Sequence, residues 1–122
     1  MADPIANALS VISYQKGKPI KSFIVRKDIK DHGTKSAIEG NVGPGEKVVI
    51  IDDVITTGGS TITAIEQARK EKLSVEMVIT LIDREEGGLE NILQHVDNIK
   101  TILTRTEVMD LRAKKINRKD VV

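Results

Sequence analysis

Val48-Val-Ile-Ile-Asp-Asp-Val-Ile-Thr-Thr-Gly-Gly-Ser60 decides how this chain is read. The four residues Val48 to Ile51 form the short, β-branched apolar run of a buried strand. Two carboxylates, Asp52 and Asp53, stand where that strand is expected to end. A loop of small residues follows, Thr56, Thr57, Gly58, Gly59 and Ser60, and from about Gly59 the apolar spacing becomes helical. The first amides of a helix bind a phosphate dianion. Paired carboxylates accept hydrogen bonds from adjacent sugar hydroxyls or attract a hydrated divalent cation. Each piece alone is commonplace: an acidic pair after a strand is usually a solvated turn, and Thr-Thr-Gly-Gly-Ser is usually a helix cap. In this order, within one short block, they make a cradle for a sugar phosphate. The block is neither a nucleotide P-loop nor a dinucleotide fingerprint. Gly43-Pro-Gly-Glu-Lys47 lacks the length and ending of the first, and there is no Gly-x-Gly-x-x-Gly for the second.

Outward from this block the chain alternates helix and strand. Asp3-Pro4 predicts a capped helix to about Gln15 with Ile5, Leu9 and Ile12 on one face, stopped by Gly17 and Pro19. Ile20 to Val25 reads as a strand, residues 26–33 as a polar loop and residues 40–46 as a turn. Lys47 to Ile51 is the next strand, and Thr61 to Lys72 a helix with Ile62, Ile65 and Ala68 inward. Ser74 to Ile82 is a strand, Leu89 to His95 a short helix, Asn98 to Leu103 a strand, and Thr106 to Leu111 one last turn of helix. Near-continuous apolar strands separated by helices imply an α/β fold, a mainly parallel twisted sheet with helices on both faces. Ligands bind such sheets at the carboxyl ends of the strands. Arg26, Asp52 and Asp83 each follow a strand, so three polar clusters are expected on one sheet edge.

Composition narrows the function. A chain of 122 residues with 39% hydrophobic content supports one small domain. One Phe, one Tyr and no Trp leave the core to Ile, Val, Leu and Ala. The net charge of +1 gives no case for a nucleic-acid surface. The absence of cysteine excludes disulfides, thiolate chemistry and a cysteine zinc site. His32 and His95 lie far apart in sequence, which argues against a histidine metal site. No apolar run reaches the roughly 18 residues of a membrane span, and no signal peptide is recognisable. The expectation is a cytoplasmic protein without membrane attachment. Residues 1–112 read as the folded domain and residues 113–122 as a basic, solvated tail.

Val48 to Ser60 resembles the phosphoribosyl-pyrophosphate-binding motif of the type I phosphoribosyltransferases: a hydrophobic strand, two acidic residues and a Thr/Gly/Ser loop. Phe23-Ile-Val-Arg-Lys-Asp-Ile-Lys-Asp-His-Gly33 resembles the catalytic loop of the orotate phosphoribosyltransferases. Ile82-Asp-Arg-Glu-Glu-Gly-Gly88 is similar to their orotate-contacting segment. The three stretches stand in the family's order, and the likeness runs from about Asp3 to about Glu107.

The resemblance implies transfer of phosphoribosyl from phosphoribosyl pyrophosphate to orotate, giving orotidine 5'-monophosphate and pyrophosphate in pyrimidine nucleotide biosynthesis. It puts the donor's 5'-phosphate in the loop Thr56, Thr57, Gly58, Gly59 and Ser60, and the ribose hydroxyls on Asp52 and Asp53. It puts the pyrophosphate against Arg26, Lys27, Lys30 and His32, with Lys30 acting across a homodimer interface and His32 as a contact or proton donor. Arg84 becomes the clamp on the orotate carboxylate, and Mg2+ is held by the donor's oxygens and water with Asp52 and Asp53 nearby. Glu85 and Glu86 are expected to shape the loop or cap the next helix, and His95 to be structural. The chain departs from the family at its start: Asp3-Pro-Ile-Ala6 resembles a segment that the family reaches only after some tens of residues. The expected fold therefore lacks the N-terminal hood, the first strand and one Lys-bearing pyrophosphate loop. The alternative expectation is a truncated, non-catalytic paralogue that binds the donor or a nucleotide. The uncovered sheet edge and the first helix are expected to favour association.

Overall fold

The computed structural model describes residues 2–26 and 36–119. Its elements are α1 (Asp3–Gln15), β1 (Phe23–Val25), β2 (Ile38–Gly40), β3 (Lys47–Ile55), α2 (Gly59–Lys70), β4 (Ser74–Asp83), α3 (Gly88–Leu93), β5 (Ile99–Thr104) and α4 (Arg105–Lys119). β3, β4 and β5 form a parallel sheet with β4 in the centre. Ile50 lies opposite Val78, and Val78 opposite Ile99. Side chains alternate faces along a strand, so Val48, Ile50 and Val78 share one face. Ile65 and Ala68 of α2, Ile92 of α3, and Leu73 and Val96 close over that face to make the core. Ile62 packs against the rim of this cluster. Ile92 is fully buried at the centre, and truncating a buried Ile leaves a cavity the backbone cannot collapse. Ile92→Ala is expected to cost about 2–5 kcal/mol, read as a lowered urea midpoint at unchanged m.

The other face is only thinly covered. Val49 and Ile102, pointing away from α2, are 39% and 60% exposed. α1 has no buried residue at all. Polar bonds fasten it to the chain that follows: Ser10 Oγ–H donates to the Ile20 carbonyl at 2.7 Å, and Ile20 N–H to Ser13 Oγ at 2.8 Å. Ser22 Oγ–H donates to Asn7 Oδ1 at 3.1 Å. Leu9 and Ile12, each 47% exposed, line a groove of about 1760 Å³ between α1 and β3. The groove reaches Ile79 on the second face of the sheet and Ser60 at the start of α2.

Several local expectations need correction. The strand expected over Ile20 to Val25 shrinks to β1 and leaves the parallel sheet, pairing antiparallel with β2 so that Phe23 faces Gly40. β2 falls where the sequence reads partly as a turn. Gly40 is there because the strands approach closely: a Cβ on it would stand 2.8 Å from that of Phe23. β3 runs past Asp52 and Asp53 to Ile55, since β4 continues beside it and pairs Asp83 with Ile55. Asp3 does not cap α1; Ala2 holds the cap position without a side-chain bond, and Asp3 opens the helix. α4 extends to Lys119 in place of one turn. Its start carries a reciprocal capping box, in which Glu107 Oε2 accepts the Thr104 N–H at 2.7 Å and Thr104 Oγ1 accepts the Glu107 N–H at 3.2 Å. The signal Thr104-Arg-Thr-Glu107 was present in the sequence.

Candidate active site

The acidic pair and the small-residue loop form one corner. Asp52 is partly buried near the end of β3, and its Oδ2 accepts a 2.6 Å hydrogen bond from Thr61 Oγ1. Thr61 stands in the first turn of α2 and is itself buried. Burial pushes the Asp52 carboxyl above the ordinary carboxylate range, and the neighbouring Asp53 adds to this, while the Thr61 hydroxyl works the other way. Asp53 Oδ1 accepts the Val54 N–H at 3.0 Å. A partly desolvated carboxylate of this kind gains from a nearby cation or from hydroxyl donors. Beyond Ile55 the chain turns through Gly58, left-handed at φ 89°, into α2, whose N-terminus has no side-chain cap. The first-turn amides of α2 are thus available to an anion, with the helix dipole favouring it. Thr61 was not assigned to the site from sequence. Its signal, a hydroxyl in the turn after the acidic strand, is shared with any Thr-rich helix start.

A second loop packs against this corner through backbone. The Arg84 N–H donates to the Ile55 carbonyl at 2.9 Å, extending the β3–β4 ladder by one bond. A Cβ on Gly88 would lie 2.4 Å from Ile55 Cγ2 and 2.5 Å from the Thr56 carbonyl oxygen, and one on Gly58 2.9 Å from the Gly88 carbonyl oxygen. Asn91 Nδ2 donates to the Thr57 carbonyl at 2.9 Å. Gly88 and Asn91 therefore set the shape of the Thr56–Ser60 loop, roles that sequence reasoning missed. Asp83 is buried and accepts the Glu85 N–H at 2.9 Å. Arg84 is exposed, and its guanidinium pairs with Glu86 at 3.1 Å. Glu85 reaches α4, accepting from Thr106. His95 serves the core boundary, its carbonyl taking the Arg69 guanidinium.

The third cluster arrives differently from the expectation. Of the three clusters, only those of Asp52 and Asp83, both within the last residues of their strands, stand at the carboxyl edge of the parallel sheet. Arg26 follows β1 of the separate antiparallel ladder, its N–H bonded to the Ala37 carbonyl at 2.7 Å and its guanidinium paired with Glu39. It still meets the site, because Arg26, Asp52, Asp53 and Ser60 all line the groove beside β3. Lys27, Lys30 and His32 lie outside the described residues.

The family model for the phosphoribosyl transferase domain matches residues 1–111. The chain belongs to the phosphoribosyltransferase family. Orotate phosphoribosyltransferase of Aquifex aeolicus is 50% identical over 91 residues, which is 75% of this chain and 50% of that one. The Sorangium cellulosum enzyme of the same name is 45% identical over 106 residues, 85% of this chain and 55% of its own. The crystal structure of Mycobacterium tuberculosis orotate phosphoribosyltransferase with 5-phospho-alpha-D-ribosyl 1-diphosphate matches 86% of this chain and 58% of that one. Its TM-score is 0.71 and its identity 31%. Leishmania donovani UMP synthase matches 92% of this chain with a TM-score of 0.72 and 31% identity, over 23% of its own length. This phosphoribosyltransferase chain thus has the type I fold, and it spans about half the length of the curated relatives it matches.

For a metal, the chemistry of the donor set is informative. Among the described residues no three His, Asp or Glu side chains are grouped to hold an ion. The adjacent Asp52 and Asp53 of this phosphoribosyltransferase fit a hard cation that takes its other ligands from substrate oxygens and water, as Mg2+ does. Among the described residues no helix is long and apolar enough to cross a membrane.

Proposed function

We propose that this phosphoribosyltransferase chain transfers phosphoribosyl from phosphoribosyl pyrophosphate to orotate, releasing pyrophosphate and giving orotidine 5'-monophosphate in the cytoplasm. The observation that carries the reading is the packing of two loops at one sheet edge. Asp52, Asp53 and the uncapped start of α2 lie on one side, and the Arg84 loop is bonded to Ile55 on the other. The names of the curated relatives, 45–50% identical, support the same substrates.

In this reading the 5'-phosphate sits on the amides of Gly59, Ser60 and Thr61, with the Thr56, Thr57 and Ser60 hydroxyls beside it. Asp52 and Asp53 accept the ribose hydroxyls, and their charge favours the cation that develops at C1 as the glycosidic bond to pyrophosphate lengthens. Arg26, Lys27, Lys30 and His32 receive the pyrophosphate. Arg84 exchanges its Glu86 partner for the orotate carboxylate, for which its planar fork is suited. Asp52 and Asp53 would hold Mg2+ through its water shell, and the ion would supply neutralisation of the pyrophosphate charge. The protein's share is alignment and exclusion of water. A homodimer places Lys30 in the neighbouring site. The β3 edge, unpaired among the described residues, and the exposed apolar residues of α1 support association.

Calorimetric titration of phosphoribosyl pyrophosphate with Mg2+, followed by turnover with orotate and then with other bases, tests the reading. Absence of both donor binding and turnover sinks it. The thinly covered sheet face favours one second reading, a chain that binds the donor without turning it over. Donor binding with no product from any base selects that reading.

A further inference from the structure

We infer that Glu85 is a positioning residue: its bonds to Thr106 tie the loop after β4 to the start of α4 and thereby hold Arg84 in place beside the Thr56–Ser60 loop. The inference rests on the assignment of Arg84 to the base carboxylate.

Glu85 adopts φ 59°, one of two non-glycine residues with a left-handed backbone among those described. A side chain with a Cβ adopts that conformation at a free-energy cost, so something must hold it there. Hydrogen bonds at both ends of the residue do so. The Glu85 N–H donates to Asp83 Oδ1 at 2.9 Å, and Asp83 is buried. Glu85 Oε2 accepts Thr106 Oγ1–H at 2.6 Å and Thr106 N–H at 3.1 Å. Thr106 is the second residue of α4, where the helix dipole favours a carboxylate. On the other side of Arg84, its own N–H is fixed to Ile55. The backbone of Arg84 is thus clamped between the central sheet and α4, while its guanidinium remains exposed and pairs with Glu86. Glu85 directs its carboxylate at α4, so it acts through Arg84 and is not a substrate contact. Carboxylate recognition by a guanidinium fork depends on geometry to a fraction of an ångström, which gives this brace a functional consequence.

The test compares Glu85→Ala, Thr106→Val and Glu85→Gln in the full chain. Loss of a charge-assisted hydrogen bond corresponds to about tenfold in an equilibrium constant. Glu85→Ala and Thr106→Val are each expected to raise the KM or Kd for orotate about tenfold, with donor affinity within about twofold of the parent. The double variant should be no worse than Glu85→Ala, because both remove one contact. Glu85→Gln, which keeps an acceptor at the same reach, should recover most of the loss. Unchanged orotate affinity, or a parallel loss of donor affinity and melting temperature, overturns the inference. A second readout is independent of the base: hydrogen exchange at the Arg84 amide. Glu85→Ala is expected to speed it about tenfold with the amides inside β4 unaffected. If the parent chain binds no orotate, the base assignment fails, and the exchange rate still decides whether the brace exists. An unchanged Arg84 rate in Glu85→Ala refutes it.

Discussion

Asp52→Asn combined with Asp53→Asn is expected to weaken phosphoribosyl pyrophosphate binding by about 100-fold while the chain stays folded. Two charge-assisted acceptors are lost, each contributing roughly 1.5 kcal/mol or more. Asparagine keeps one neutral acceptor at each position, so the loss is of charge, not of shape. Stability should move the other way. The Asp52 carboxyl is raised in the folded chain, by burial first and by Asp53 next. The folded state therefore holds that proton more readily than the unfolded state. Ionisation of Asp52 opposes folding at pH values above the raised pKa, and the opposition fades as pH falls through it. Asp52→Asn removes the charge and keeps an acceptor for Thr61. Its melting temperature should match or exceed the parent's at pH 7, and the gain should vanish as the pH drops into the ordinary carboxylate range. Equal donor affinity in the double variant would refute the role of the pair. A large loss of stability at pH 7 would refute the electrostatic account of Asp52.

Gly88→Ala is expected to be the most damaging single-methyl change in the site. The added Cβ meets Ile55 Cγ2 at 2.4 Å and the Thr56 carbonyl oxygen at 2.5 Å. Ile55 is only 1% exposed, and Thr56 begins the loop proposed for the phosphate. Neither neighbour yields cheaply, so overpacking should cost about 2–3 kcal/mol. That corresponds to a fall of roughly 10 °C in melting temperature. Because the displaced atoms belong to the Thr56–Ser60 loop, donor affinity should fall as well. Gly87→Ala is the control. Gly87 has φ 84°, but a Cβ there meets nothing within 4 Å. It should lose only about 1 kcal/mol for its left-handed backbone and keep donor binding. Equal effects from the two substitutions would show that backbone strain, not loop-to-loop packing, governs this corner.

The strand, acidic pair, small-residue loop and helix were legible because each is a local pattern. An apolar run of β-branched residues has few uses other than a buried strand, and Ile62, Ile65 and Ala68 carry the period of a helix face. The helix face came out with Ile65 and Ala68 fully buried, while the strand ran on through Asp52 and Asp53 to Ile55 because β4 continues beside it. The antiparallel pairing of Phe23 with Gly40 was not legible, because glycine reads as a turn until its partner strand is known. The length of α4 was missed although its capping box lay in view, since charge in the last residues suggested solvent more strongly than helix. Thr61, Asn91 and the Glu85–Thr106 pair escaped for a common reason: each matters through a partner 9 to 34 residues away.

By itself, then, the order of residues determined the makeup of the candidate site: a carboxylate pair before a helix start without a side-chain cap, with an arginine on a neighbouring loop. Those properties depend on residue type and short spacing, which the chain carries along its own length. Tertiary structure alone decided how the parts meet. It bent Asp52 onto Thr61, packed Gly88 against Thr56, and set Arg84 between Ile55 and α4. Among the described residues it also left the edge of β3 unpaired beside an α1 with no buried side chain. Such contacts form where backbones approach within a methyl group of one another, and only the folded chain brings those backbones together.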